Sequence, residues 1–159
     1  MPTLTHPKLR TAFAACSRVS LSVSALFGGL LFAASAQAAD LTVQVHNIEE
    51  SNGTVMVALF SREADFMKNN SYTQQRVAAS RSPEGSLQLR FVDLPPGTYA
   101  LSVFHDRNSN GKLDTNMLGM PSEPFGFSNA AKASFGPPKF GDAAITLGTD
   151  NSTAAIQLQ

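Results

Sequence analysis

The chain contains little of the chemistry that most enzyme classes need. Its 159 residues include one cysteine, no tryptophan and three histidines. Because Cys16 lies in the N-terminal region, residues 39–159 have no thiol nucleophile, no disulfide and no thiolate metal ligand. His46 and His105, the two histidines after residue 38, lack the close spacing of a transition-metal motif. Thiol chemistry and a catalytic zinc or iron centre are therefore disfavoured.

Clusters of basic residues are also missing. The chain has 12 Lys and Arg residues and 12 Asp and Glu residues, and three of the basic residues lie before residue 39. Residues 39–159 therefore carry a net charge of about −3. A mildly acidic domain lacks the electrostatic footprint of a nucleic-acid-binding protein. It also lacks the Lys/Arg cluster that would hold it electrostatically on an anionic membrane.

The first 38 residues have the organisation of a secretory signal peptide. Basic residues come first, an apolar stretch is densest at residues 25–34, and Ala36-Gln37-Ala38 fits the small-x-small cleavage rule. A retained membrane anchor is the alternative, but the dense apolar run is short for a hydrocarbon core of about 30 Å. We therefore expect residues 1–38 to be removed. The product would be a secreted or periplasmic domain, residues 39–159, without a membrane anchor.

Alternating apolar and polar residues predict an all-β domain. The predicted strands are residues 41–48, 54–60, 74–79, 86–92, 98–104, 143–147 and 154–158. Asn52-Gly53 predicts a tight hairpin between the first two strands. A short helix is predicted after Ser61, with Phe66 as its anchor to the core. About seven short strands predict a single Ig-like antiparallel β-sandwich.

A long loop at residues 105–140 interrupts the predicted strands. It is rich in Gly, Pro, Asn and Ser, but it also contains phenylalanines, which a disordered linker would lack. We therefore expect an ordered loop. Its phenylalanines either pin the loop to the sandwich or line a pocket for a small apolar ligand. These residues are Phe125, Phe127, Phe135 and Phe140.

The start of this loop carries the most informative pattern in the chain. Side-chain oxygens recur at loop positions 1, 3, 5 and 9, and glycine occupies position 6. Calcium binds six to eight oxygen ligands, which alternate residues of a tight loop can direct at one point. In the same register, position 7 would offer its backbone carbonyl. The predicted metal ligands are Asp106, Asn108, Asn110, the Lys112 carbonyl and Asp114.

This pattern departs from the EF-hand at position 12, where Met117 replaces the bidentate glutamate. Two carboxylates and two amides predict a weak calcium-type site, with a Kd on the order of 10⁻⁴–10⁻³ M. Glu123 or Asp142 would complete the coordination from elsewhere in the fold. The alternative is a turn rich in Asn and Gly that caps itself through side-chain to backbone hydrogen bonds.

Longer motifs give the chain a resemblance to a known family. Residues 94–106, 108–114 and 118–129, together with residues 53–60, Phe66 and residues 138–144, resemble the exported bacterial family called domain of unknown function 2141. Residues 94–103 are also similar to a strand pair of prealbumin-like and carboxypeptidase-regulatory-like β-sandwiches. The resemblance implies a prealbumin-like fold and a non-catalytic accessory or adhesion module, although fold alone does not determine function.

These observations lead to three functional hypotheses. The first is a non-enzymatic envelope domain in which an ion orders a binding surface for an unknown protein or small ligand. The second is a carrier with a phenylalanine-lined pocket. The third is an enzyme that uses His105 with Asp106 or Glu123, which requires His105 to face an open pocket within reach of a carboxylate.

Overall fold

The computed structural model describes residues 37–81, 83–134 and 136–159. The predicted signal peptide therefore lies almost wholly outside the described residues, and so does Phe135. The described residues form eight strands and one short α-helix, α1. These elements are β1 Ala39–His46, β2 Thr54–Phe60, β3 Thr73–Ala78, β4 Ser86–Leu94, β5 Gly97–Asp106, β6 Phe125–Phe127, α1 Phe140–Ala143, β7 Ala144–Leu147 and β8 Ser152–Gln157.

The strands form two sheets, which confirms the predicted all-β sandwich. One sheet has three strands in the order β4-β1-β8, and the other has the order β3-β2-β5-β6, with β7 also paired to β5. All pairs are antiparallel except β1 with β8, which run parallel. The seven predicted strands are all present, and β6 is an eighth strand inside the long loop.

The predicted hairpin between the first two strands is wrong. β1 pairs with β4 and β8, whereas β2 pairs with β3 and β5, so the connection at residues 47–53 passes from one sheet to the other. Gly53 does have the positive φ, +79°, that the Asn-Gly pair suggested. Gly53 therefore adopts this conformation within a connection that runs between the two sheets, and not within a two-residue hairpin turn.

The main core contains the inward faces of both sheets. Burial alternates along β1, as expected for a strand with one face against the core. Fully buried aliphatic side chains of β1, β2 and β5 contribute much of this core. They are Leu41, Val43, Val45, Val55, Val57, Leu59, Leu101 and Val103.

A second, smaller core covers part of the outer face of the five-stranded sheet. Phe60 and Ala100 project away from the main core, because their neighbours Leu59 and Leu101 belong to it. Phe66, from the predicted helical segment, packs edge to face on Phe60 with ring centroids 5.3 Å apart. Phe140 packs on Phe66 at 5.7 Å. The anchoring role predicted for Phe66 is therefore confirmed.

A serine fixes the long loop to the centre of the five-stranded sheet. Along one side of β5, residues 97–100 pair with β7 and residues 102–104 pair with β6. Leu101 lies between these partners, and its N–H donates to Ser128 Oγ at 2.8 Å. The Ser128 hydroxyl donates in turn to the Ala143 carbonyl. The buried Ser128 side chain thus bridges the gap in pairing and ties the loop to the last residue of α1, directly before β7.

No helix within the described residues is both long and apolar enough to cross a membrane.

Candidate functional site

The candidate site is residues 106–114, which we call the oxygen-rich loop. It begins at Asp106, the last residue of β5, where the start of β2 packs closely against it. A Cβ atom at Gly53 would lie only 2.2 Å from the Asp106 carbonyl oxygen and 2.7 Å from the Arg107 Cα. Only glycine at position 53 therefore allows the backbone to approach the start of the oxygen-rich loop this closely.

The Asp106 carboxylate organises the first half of the loop. Asp106 is buried, and its Oδ1 accepts a hydrogen bond from Asn110 N at 3.0 Å. Its Oδ2 accepts one from Gly111 N at 2.7 Å. Because each carboxylate oxygen has two lone pairs, both oxygens retain the capacity to bind a cation.

The two asparagines connect this half of the loop to Asp114. Asn108 Oδ1 accepts a second bond from Asn110 N at 3.0 Å, and Asn110 Oδ1 accepts one from Lys112 N at 2.7 Å. Their Nδ2 atoms donate to the two oxygens of the Asp114 carboxylate, at 2.7 Å from Asn108 and 2.9 Å from Asn110. The structure therefore brings the four predicted side-chain ligands into one hydrogen-bonded ring.

Glu123 closes the loop from outside it. Its buried carboxylate accepts hydrogen bonds from Arg107 N at 2.8 Å and from Asp114 N at 2.9 Å. One side chain thus ties the second residue of the loop to the last. Asp142, the other residue expected to complete the site, lies in α1, where its Oδ2 accepts a bond from Lys139 N.

The side-chain oxygens of the oxygen-rich loop are of the type that a hard cation such as calcium binds. Among the described residues, no group of three or more His, Cys, Asp or Glu side chains is arranged to hold a metal ion. The loop offers two carboxylates, and its amides present Nδ2 atoms to Asp114. Ligation by both amide oxygens would require the amides to turn. The ligand set, including the Lys112 carbonyl, stays a prediction, as does the self-capped alternative.

His105 does not have the geometry that the enzyme hypothesis requires. Its side chain is fully buried. The Nε2 atom lies 2.7 Å from the Asn52 carbonyl oxygen, which can only accept, so Nε2 carries the proton. Among the described residues, Nδ1 has no hydrogen-bond partner. His105 thus joins β5 to the crossing connection between the sheets and is not paired with Asp106 or Glu123.

An open groove of about 420 Å³ lies on the outer face of the five-stranded sheet, beside the oxygen-rich loop. Gly111 and Leu113 line it at one end. Two of the four predicted pocket residues, Phe125 and Phe127, contribute to its wall, whereas Phe140 packs in the second core. Its other apolar lining residues include Met56, Phe60 and Phe104.

Three contacts of the site could not be predicted from the sequence. They are the bond from His105 to Asn52, the approach of Gly53 to Asp106, and the double contact of Glu123. Each joins residues from separate segments. The local sequence offered only two signals for these contacts: Gly53, and Glu123 with a proline on either side of it at positions 121 and 124.

Comparison with known proteins gives one match. The family described as "Uncharacterized protein conserved in bacteria (DUF2141)" matches residues 43–155, which begin within β1, end within β8 and contain the whole oxygen-rich loop. No curated protein and no solved structure matches the chain, so the prealbumin-like resemblance stays a prediction. The chain belongs to the bacterial family called domain of unknown function 2141.

Proposed function

We propose that this chain is an exported, non-enzymatic binding domain whose oxygen-rich loop takes a calcium-type ion and thereby stabilises the surface beside it. The observation that carries the proposal is the convergence of Asp106, Asn108, Asn110 and Asp114 in one ring of hydrogen bonds. Calcium favours such oxygen donors, and a site with only two carboxylates would bind it weakly. Export is supported by the signal-like organisation of residues 1–38.

Asp114 is a better target for a test than Asp106. Removing the buried Asp106 carboxylate would leave the Asn110 and Gly111 N–H groups without that acceptor whether or not an ion binds. Within the part of the chain that the structure describes, the donors to the Asp114 carboxylate are two exposed asparagine side chains. Asp114→Asn keeps the side-chain size and removes the charge on which an ion would depend.

Calcium at about 10 mM is expected to raise the melting temperature of the wild-type protein by roughly 5–10 °C relative to chelator. This follows because 10 mM calcium exceeds a Kd near 10⁻⁴–10⁻³ M by roughly 10–100-fold, and an ion that binds only the folded state stabilises it accordingly. Asp114→Asn should abolish the shift, and the exposed control Asp150→Asn should retain it. Thermal unfolding followed by circular dichroism measures both. The absence of a wild-type shift, or an equal shift in Asp114→Asn, would contradict the ion site.

The side-chain amide resonances of Asn108 and Asn110 provide a second readout. In the described structure, both Nδ2 groups donate to Asp114. An ion ligated by the amide oxygens would replace these bonds, so calcium should move both pairs of NH₂ peaks in a ¹⁵N–¹H spectrum. The amide of Asn151, whose Oδ1 accepts from Asp40 N, serves as an internal reference.

The groove supports a second candidate function, a carrier of a small apolar ligand. Its volume of about 420 Å³ lies within the range of small-molecule pockets, roughly 300–1,000 Å³. Native mass spectrometry of freshly purified protein should then show an added lipid-like mass. Phe104→Asp, which places a charge in the groove wall, should remove this mass. An unliganded wild-type mass would count against the carrier.

A further inference from the structure

Three apolar side chains project from a turn directly after the oxygen-rich loop. Met117 is 103% exposed, Leu118 87% and Met120 56%. We call these three residues the apolar tip. Among the described residues, the next most exposed large apolar side chain is Val92 at 53%, which lies on β4 and apart from the tip in sequence. Exposed apolar residues are common singly, but a group of three within four positions indicates an interaction surface.

The exposure of the tip is imposed by an ordered turn. Thr115 and Pro121 form an isolated β-bridge, and Asn116 N donates to the Met120 carbonyl at 2.8 Å. The Asn116 side chain fixes the turn from within, because its Oδ1 accepts hydrogen bonds from Leu118 N at 2.9 Å and Met120 N at 3.0 Å. The backbone therefore holds the three side chains outward.

Hydrogen bonds also join the base of the turn to the rigid part of the site. Ser122 N donates to the Asp114 carbonyl at 2.9 Å, and the next residue is the buried Glu123. A polar neck, formed by Thr115, Asn116 and Ser122, thus separates the apolar tip from the domain. This order, from apolar end to polar neck, matches the change from acyl chains to headgroups at a membrane surface.

The charges near the tip do not oppose its insertion into a lipid surface. Residues 115–122 contain no ionisable side chain, so inserting them would desolvate no charge. The carboxylates of Asp106 and Glu123 are buried and bonded to backbone N–H groups, and the Asp114 carboxylate accepts two amide donors. Lys112, in contrast, is exposed. Among the ionisable side chains of residues 106–123, the most exposed one is therefore a cation.

We propose that the apolar tip inserts into the surface of a lipid bilayer and docks the domain there reversibly. The tip consists of three side chains that project into solvent, and two of them are flexible methionines. Fluid lipid accepts such side chains without a preformed cavity, whereas a protein partner would need a matching pocket. Lys112 would lie toward the phosphates of the headgroups. The insertion does not depend on an ion in the oxygen-rich loop.

Vesicle flotation tests the proposal directly. The full chain, purified as the cell processes it, is mixed with vesicles of phosphatidylethanolamine and a minor fraction of phosphatidylglycerol, with calcium and separately with chelator. The wild-type protein is expected to float with the vesicles in at least one condition. Leu118→Asp should lower the partition coefficient at least tenfold, since burying one leucine contributes roughly tenfold or more.

Val92→Asp is the matched control, because it places the same charge at an exposed apolar position outside the tip. It should float like the wild type, and all three proteins should unfold at similar temperatures, because neither side chain is part of the core. Failure of the wild type to float in both conditions would overturn the proposal. Equal loss in Leu118→Asp and Val92→Asp would also overturn it. So would a wild-type dimer or protein complex that Leu118→Asp dissociates without any vesicle binding.

Discussion

Gly53→Ala is expected to destabilise the domain by roughly 2–5 kcal/mol. Two costs contribute to this loss. The φ of Gly53 is +79°, a region in which a residue with a Cβ atom is strained by about 1–2 kcal/mol. The new Cβ would also lie 2.2 Å from the Asp106 carbonyl oxygen, and this neighbour is backbone held in β5. The start of the oxygen-rich loop would have to move away from β2.

Substitutions at two other glycines distinguish the cost of the positive φ from the cost of the close contact. Gly119 has a φ of +76° and no heavy atom within 4 Å of its ideal Cβ, so Gly119→Ala should show only the conformational cost. Gly148 has neither a positive φ nor a close neighbour, so Gly148→Ala should be close to neutral. Urea denaturation gives all three free energies of unfolding. A Gly53→Ala loss no larger than that of Gly119→Ala would show that the contact with Asp106 is not restrictive.

Glu123→Ala is expected to lower the free energy of unfolding by roughly 2–4 kcal/mol. The substitution removes the acceptor of two backbone donors, Arg107 N and Asp114 N. Each donor left without a partner at a poorly hydrated position costs about 1–3 kcal/mol. The loss should be accompanied by faster hydrogen exchange at both amides, because the two ends of the oxygen-rich loop would no longer be tied together.

Glu123→Gln distinguishes hydrogen bonding from packing. Glutamine has nearly the same volume, but it keeps one acceptor oxygen and presents an NH₂ group to the other backbone donor. Its loss of stability should fall between those of the wild type and Glu123→Ala. Glu63→Ala, at an exposed position, should be near neutral. Equal stability of Glu123→Ala and Glu63→Ala would rule out the closing role of Glu123.

The sequence predicted strands better than their partners. The alternation in β1 and β4 and the apolar run of β2 were sufficient, because a strand with one buried face leaves a period-two pattern. Less information was available from the sequence about which strands pair with each other. Asn52-Gly53 indicated a local turn, but the long-range partners β4 and β8 determine where β1 lies. β6 was missed because its three residues, Phe125 to Phe127, are too few to display a period.

In the candidate site, too, local spacing could be predicted from the sequence, whereas contacts between distant segments could not. The spacing of Asp106, Asn108, Asn110 and Asp114 predicted that their side chains would meet, because alternate positions of a tight turn face one point. The role of Glu123 required knowledge of how the following turn returns to the loop. The hydrogen bond of His105 could not be predicted, because its partner, the Asn52 carbonyl, is a backbone group that side-chain identity does not reveal.

The parallel pairing of β1 with β8 has a consequence for the timing of folding. The two strands join residues far apart in sequence: Leu41 pairs with Ser152, and Asp40 N bonds to Asn151 Oδ1, 111 positions away. Pairs with such separation form slowly, because a long loop must close first. A chain delivered from its N-terminus would keep one edge of β1 open until residue 157 had emerged. The three-stranded sheet therefore cannot be completed before the last strand of the chain is available.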